Sequence, residues 1–288
     1  MKVLVTGAAG RLGSVVCQEL VRRGHEVLAT DQRFISGLPA PLRLADLRLA
    51  LAVYPLLESK DAVVHLGNHP SLDAGPSPQA VLADNVAMNA NVFRTAAELG
   101  VGRIVFASSL QAMVRLDQGR PTEAPYTLPY FPLDGQAPLN PGSNFYGLSK
   151  EFGERTLQVL AQCRPELCCT ALRFPKLVNE SFLQRIKQSQ APSALNWGEG
   201  LTYLALPDAA MLVALVLERQ RPGYHQYFPA QALRIAGYSA AATLAAFFPA
   251  TPLRRLPSDI EGLVDLGALE TDVGFQPSPP LTVELERT

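Results

Sequence analysis

The stretch that decides the fold is residues 1–13, MKVLVTGAAGRLG. Lys2 to Thr6 is a short, valine-rich apolar run, the pattern of a strand buried on both faces. Gly7, Gly10 and Gly13 follow in G-x-x-G-x-x-G spacing. Ser14 to Arg23 then shows helical periodicity, with Val15, Val16, Leu20 and Val21 on one face. A strand, a glycine turn and a helix give each glycine a physical task. Gly7 takes a tight turn, Gly10 has no Cβ to block a pyrophosphate, and Gly13 lets the helix sit close on the sheet. The helix N-terminus offers unpaired N–H groups and a partial positive charge to the phosphates. The stretch predicts a dinucleotide site on the first strand of a parallel sheet.

Working outward, His25 to Thr30 reads as the second strand and ends at Asp31, 18 residues after Gly13. A carboxylate there accepts hydrogen bonds from the ribose hydroxyls of adenosine and repels a 2′-phosphate, which favours NAD over NADP. Arg33 pulls the other way, because a guanidinium can hold that phosphate. Leu42 to Leu57 is expected to hold a short helix beginning near Asp46, and Asp61 to Leu66 the third strand. Asp46-Leu47 falls where a carboxylate meets the adenine amine, although a helix cap explains Asp46 equally well. A long helix, Gln79 to Leu99, leads to a strand, Arg103 to Ala107, that ends in Ser108-Ser109. Strands alternating with helices predict a Rossmann-type, doubly wound parallel α/β sheet with its ligand at the strands' carboxyl ends.

Leu116 to Gly142 is a proline-rich loop that includes Pro121 and Pro125, and its Tyr126, Tyr130 and Phe131 are expected to pack over a site. A helix, Asn144 to Leu160, and a strand, Glu166 to Leu172, follow. Beyond Arg173 the pattern changes. Residues 1–173 are expected to form the dinucleotide-binding domain, rejoined by 201–228, with 174–200 and 229–288 forming a small substrate-binding cap.

The totals exclude several classes. At 288 residues and 48% apolar, with a mean hydropathy of +0.09, the chain can bury a sizeable core. A net charge of -1 provides no field for nucleic acid or an anionic membrane, and no apolar run is long enough to span one. Cys17, Cys163, Cys168 and Cys169 lack metal-finger spacing and no signal-peptide pattern opens the chain, so buried, reduced thiols in a cytoplasmic protein are expected. His65 and His69 follow a strand and flank Gly67, which is not the helical H-E-x-x-H arrangement, so no metal is assigned.

Tyr146 and Lys150 are spaced i,i+4 and share one helix face. An ammonium beside a phenol lowers the tyrosine pKa, and a tyrosine so tuned takes the proton of a substrate hydroxyl as hydride leaves carbon. Ser109, at the end of a central strand, is placed to hold the substrate oxygen, with Ser108 as its neighbouring candidate.

TGAAGRLG, Asp31, Asp46-Leu47, HLGN, FASS and YGLSK together resemble the extended short-chain dehydrogenase/reductases, the NAD-dependent epimerase/dehydratase family. The resemblance covers Met1 to about Arg173 and continues more loosely through LTYLALPDAAMLVALVLE. It implies a catalytic triad of Ser109, Tyr146 and Lys150. It implies NAD contacts from Gly7, Gly10, Arg11, Leu12, Gly13, Asp31, Asp46, Leu47, Leu66, Gly67, Tyr146, Lys150 and Phe174. It also implies a sugar or nucleotide-sugar substrate and a two-fold dimer through the helices Gln79–Leu99 and Asn144–Leu160. The chain departs from the family's sugar-nucleotide epimerases where Phe174, Pro175 and Lys176 follow Leu172-Arg173, and where Met113-Val114 replaces a Tyr-Gly pair. The compact cap and the Ala-Ser-Ser strand end also resemble uronate dehydrogenases. Three readings stand: an epimerase or dehydratase that keeps its NAD, a uronate-dehydrogenase-like oxidoreductase that exchanges NAD(P), and a non-catalytic dinucleotide sensor.

Overall fold

A computed structural model of the chain describes residues 1–116, 126–188 and 197–285. The first half alternates strand and helix: β1 (Lys2–Thr6), α1 (Arg11–Arg22), β2 (Glu26–Asp31), β3 (Leu42–Leu44), α2 (Ala50–Leu57), β4 (Ala62–His65), α3 (Pro78–Glu98) and β5 (Arg103–Ser109). The pair β6 (Arg115–Leu116) and β7 (Tyr126–Thr127) precedes α4 (Phe145–Cys163) and β8 (Cys168–Phe174). Then come β9 (Lys176–Val178), α5 (Glu180–Gln188), β10 (Thr202–Ala205), α6 (Leu206–Arg219), β11 (Gly223–Tyr227), β12 (Gln231–Ala232), β13 (Arg234–Ile235), α7 (Ala240–Phe247), α8 (Gly267–Val273) and β14 (Thr282–Val283).

The main sheet is parallel throughout, in the order β11-β8-β5-β4-β1-β2-β3. The chain runs outward from β1 to β3, then returns to the other side of β1 with β4. That reversal opens a crevice at the strands' carboxyl ends. Alternation along β1 splits its side chains between two cores. Val3 and Val5 join α1, α6 and α8, while Leu4 joins α2, α3 and α4. Helices on both faces bury the sheet, which is why its strands read as continuous apolar runs.

Several expectations change. Leu42–Leu44 forms the sheet's edge strand, and α2 starts only at Ala50; so short a strand, half solvent-facing, carries too little pattern to read. Leu201 to Leu206 contributes β10, which leaves the main sheet and pairs with β9 and β12. Only the β11 strand of that region lies beside β8. Phe131 and Tyr130 do not cover the crevice. Phe131 is buried against Phe248, ring centroids 5.0 Å apart, and Tyr130 hydrogen-bonds Asp134 beneath the Arg254 guanidinium. Pro121 and Pro125 lie outside the described residues, as does the side chain of Tyr126. Cys17, Cys168 and Cys169 are buried as expected, but Cys163, at the exposed end of α4, is not. Among the described residues, no helix is long and apolar enough to cross a membrane.

A third apolar cluster joins Leu110–Val114 and Leu128–Ala137 to the late segments, from Val178 through Phe248 to Val283. One buried ion pair ties this layer to the sheet. Arg173 at the end of β8 and Glu154 on α4 are 1% and 0% exposed and pair at 2.8 Å. The same guanidinium donates to the carbonyls of Gly135 (3.1 Å) and Ala137 (2.6 Å). Ser108 and Tyr224 donate to the Glu154 carboxylate at 2.5 and 3.0 Å. Every partner is satisfied, the condition under which a buried charge pair is tolerated.

Candidate active site

The crevice encloses about 960 Å³ and runs from the glycine turn to the N-terminus of α4. Gly7 adopts φ +67°, and a Cβ there would stand 2.7 Å from the Leu66 carbonyl. A Cβ on Gly13 would overlap the Gly7 carbonyl. Both positions therefore need glycine, one for its backbone angle and one for close approach. Gly10 lines the crevice at the mouth of α1, which has neither a side-chain cap nor an acidic first turn. The first amides of α1, at Arg11, Leu12 and Gly13, lack carbonyl partners within the helix and border the cavity. A cradle that rejects side chains, with open amides behind it, fits a dinucleotide pyrophosphate.

Asp31 lies at the other end of this cradle. Its carboxylate accepts N–H groups from Ala9 and Arg33, each at 3.0 Å, and the Arg33 Nε lies 3.9 Å away. Leu66 and Gly67 form the opposing wall, their N–H groups donating to Thr6 Oγ1 at 3.1 and 3.0 Å. Leu47 and Phe174 also line the cavity. Asp46 does not. Its carboxylate is taken by Arg48, at 2.7 Å, and Gln32, at 3.1 Å, and the hydrogen bond from Arg48 lowers its pKa to about 2.

His65 is buried beneath the cradle, 2.8 Å from Thr6 and 3.0 Å from Asn89, and burial lowers its pKa to about 3. His69 pairs instead with Asp84 at 3.0 Å. The two imidazoles thus have separate partners.

Ser109, Tyr146 and Lys150 meet at the far end of the crevice. Asn144 caps α4, accepting the N–H groups of Tyr146 and Gly147 at 3.1 and 3.2 Å, and so sets the helix start that aims Tyr146. Tyr146 and Ser109 line the same end of the cavity, and the serine hydroxyl is close enough to act against the rise in the phenol's pKa. Ser108 is committed to Glu154, which leaves Ser109 as the serine beside the phenol. Lys150 Nζ donates to Asn68 Oδ1 at 2.8 Å and to the Ala107 carbonyl at 2.9 Å, and lies 5.5 Å from the Tyr146 ring centre.

One expectation fails here: the lysine does not lower the phenol. Burial pushes Tyr146 up to about 12, against the neighbouring Ser109 hydroxyl, and the charge of Glu199 adds a smaller rise. Burial also brings Lys150 down to about 7. In a desolvated site the loss of hydration outweighs an ammonium that is hydrogen-bonded elsewhere.

The family model for the NAD dependent epimerase/dehydratase family matches residues 3–225. The chain belongs to that family. This family member is 31% identical over 158 residues to a uronate dehydrogenase of Pseudomonas putida, covering 53% of each chain. It is 30% identical over 237 residues to a 2-alkyl-3-oxoalkanoate reductase of Stenotrophomonas maltophilia, covering 77% of this chain and 67% of that one. The match spans about half the length of the uronate dehydrogenases. In fold, it resembles a UDP-glucose 4-epimerase from Bifidobacterium longum solved with NAD+ and UDP, with a TM-score of 0.69 at 18% identity over 97% of this chain and 94% of that one.

Sequence reasoning missed Asn68, Gln111, Lys176 and Glu199, all of which line the crevice. Asn68 stood within the quoted HLGN. Gln111, Lys176 and Glu199 carried no local signal, because only the folded chain brings them into the crevice.

Proposed function

We propose that this chain binds NAD along the crevice and transfers a hydride from a carbinol carbon of a sugar or nucleotide sugar to the cofactor, or from the reduced cofactor to the corresponding carbonyl carbon, with Tyr146 as the acid/base. The observation that carries this reading is the meeting of Ser109, Tyr146 and Lys150 at one end of a crevice whose other end is a pyrophosphate cradle. Gly7, Gly10, Arg11, Leu12, Gly13, Asp31, Leu47, Leu66, Gly67 and Phe174 would hold the dinucleotide, which supplies the hydride acceptor or donor when bound. Asp31 favours NAD over NADP.

Each side chain has a separate task. Ser109 Oγ orients the substrate oxygen toward Tyr146. Tyr146, neutral at pH 7, donates its Oη proton to a carbonyl in the reductive direction. In the oxidative direction its phenolate form takes the carbinol proton as hydride leaves carbon. The uronate dehydrogenases among its relatives favour a dehydrogenase that exchanges its cofactor as the second reading.

The outer face of α3 and α4 supports a two-fold dimer. Phe152 and Val159 are 44% and 42% exposed, and Ala83, Leu82, Val86 and Ala90 form an apolar stripe on α3. The described cysteines are all free, which suits the cytoplasm proposed for it.

The test is calorimetry with NAD and NADP, followed by assay of free sugars, sugar acids and nucleotide sugars for NADH formation or epimerisation. NAD binding with turnover that depends on Tyr146 supports the reading. Turnover by Tyr146→Phe equal to the parent overturns it.

A further inference from the structure

Gln111 is bonded through its backbone and through both ends of its side-chain amide, and each bond leads to a different part of the crevice. It sits in the 3-10 turn Leu110–Ala112, directly after β5, and lines the cavity. Its backbone N–H donates to Ser109 Oγ at 3.1 Å. Its Oε1 accepts from Asn144 Nδ2 at 2.8 Å, and its Nε2 donates to Glu199 Oε1 at 3.1 Å. Its carbonyl lies against the first turn of α4, where a Cβ on Gly147 would stand 2.2 Å from the oxygen.

The donors and acceptors fix the direction of every bond. The Asn144 oxygen caps α4 by accepting the N–H groups of Tyr146 and Gly147, so only the Asn144 NH2 is left to face Gln111. Gln111 must then turn its oxygen to Asn144 and its NH2 to the Glu199 carboxylate. Asn144 is 1% exposed, so losing this partner either buries its NH2 unpaired or turns the cap away from Tyr146. On the backbone side, the Gln111 N–H fills an acceptor position of Ser109 Oγ. The hydroxyl proton is left to be donated elsewhere, and Ser109 lines the cavity with Tyr146.

We propose that Gln111 is a positioning residue for proton transfer: it fixes Ser109 as a hydrogen-bond donor to the substrate oxygen and ties that serine to the start of the helix that carries Tyr146. This rests on the reading of Tyr146 as the acid/base. Ser109 ends β5 and Tyr146 begins α4, two elements 36 residues apart in the chain. Gln111 bridges them through Ser109 Oγ on one side and the α4 cap on the other. Its bond to Glu199 anchors the far end of the amide to the segment just before β10.

The experiment compares the full-length protein with Gln111→Leu, Ser109→Ala, the double variant and Tyr146→Phe. Each is loaded with NAD and assayed on glucose, glucuronate, UDP-glucose and UDP-glucuronate. Gln111→Leu should lower kcat about tenfold to a hundredfold while KM and NAD affinity are kept, because the serine is misplaced but the binding surfaces remain. The pH limb that belongs to Tyr146 should move up, as in Ser109→Ala, since the serine hydroxyl works against the rise of the phenol. In the double variant the loss should fall well short of the product of the single losses, because Gln111 acts through a serine that is no longer there. A merely structural residue would leave the pH limb in place and the losses multiplicative. Should Gln111→Leu fail to fold, Gln111→Asn, too short to reach Asn144 and Glu199 together, carries the same cycle. A parent-like kcat, an unmoved pH limb or losses that multiply overturn the proposal. With Tyr146→Phe inactive, those results strike Gln111 alone. If Tyr146→Phe works as the parent does, or no probe is turned over, the hydride-transfer reading falls and takes this one with it.

Discussion

The floor and the cover of the crevice are built on different principles. The floor is local: three glycines within seven residues, a helix start and the neighbouring strand ends, all placed by consecutive β-α units. Its tolerances are set by backbone, since a Cβ at Gly7 or Gly13 strikes main-chain atoms. The cover is assembled from segments far apart in the chain. β9 pairs with β10 and β10 with β12, and the cluster beneath them takes residues from Leu110 to Val283. The floor is therefore sensitive to added atoms, and the cover to lost partners. Arg173 and Glu154 join the two.

The largest expected effect tests whether the two regions meet as a catalytic site. Tyr146→Phe keeps the ring and deletes the titrating oxygen, so turnover should fall by about 10²–10⁴-fold while NAD affinity, measured by calorimetry, is kept. Parent-like turnover would reduce the crevice to a binding site. Next is the joint. Glu154→Ala leaves the Arg173 guanidinium buried without its carboxylate, and urea unfolding should show a loss of about 3–5 kcal/mol. A loss below about 1 kcal/mol would mean that the cover stands without it.

Gly13→Ala sharpens the contrast from the floor side. The added Cβ forces α1 away from the Gly7 carbonyl, so NAD binding should weaken and stability should drop by about 1–3 kcal/mol. Unchanged affinity would show that the cradle yields. The smallest effect is a pH slope. His65 is buried and neutral, held down to about 3 by burial and then by the charge of Lys150. The unfolded chain binds that proton at about pH 6.5, so below it the unfolded state holds more protons and stability declines as pH falls toward 3. The slope from this group is at most about 1.4 kcal/mol per pH unit. His65→Gln should flatten urea midpoints measured from pH 7 to pH 4; a parent curve already flat there would show that the floor is not closed around His65.

How much could be read in advance follows the same division. The glycine spacing, Asp31, the serine pair and the Tyr146–Lys150 step were legible because each depends on spacing within one β-α unit or one helix turn. Leu42–Leu44 was not, since three residues on a sheet edge carry no period. Asp46 was legible as a turn residue, but its partner Arg48 decides where the carboxylate points.

The sequence by itself determined the parallel sheet, the placement of its crevice and the candidate chemistry at one end, because strand alternation, glycine geometry and helix periodicity are short-range properties. Only the tertiary structure decided that Ser108 is committed to Glu154, that Lys150 is spent on Asn68 and Ala107, and that Glu199 joins Tyr146 in lining one cavity. Those outcomes depend on desolvation and on hydrogen-bond competition among residues distant in the chain. Burial, which no local pattern reports, moves Tyr146 up and Lys150 down.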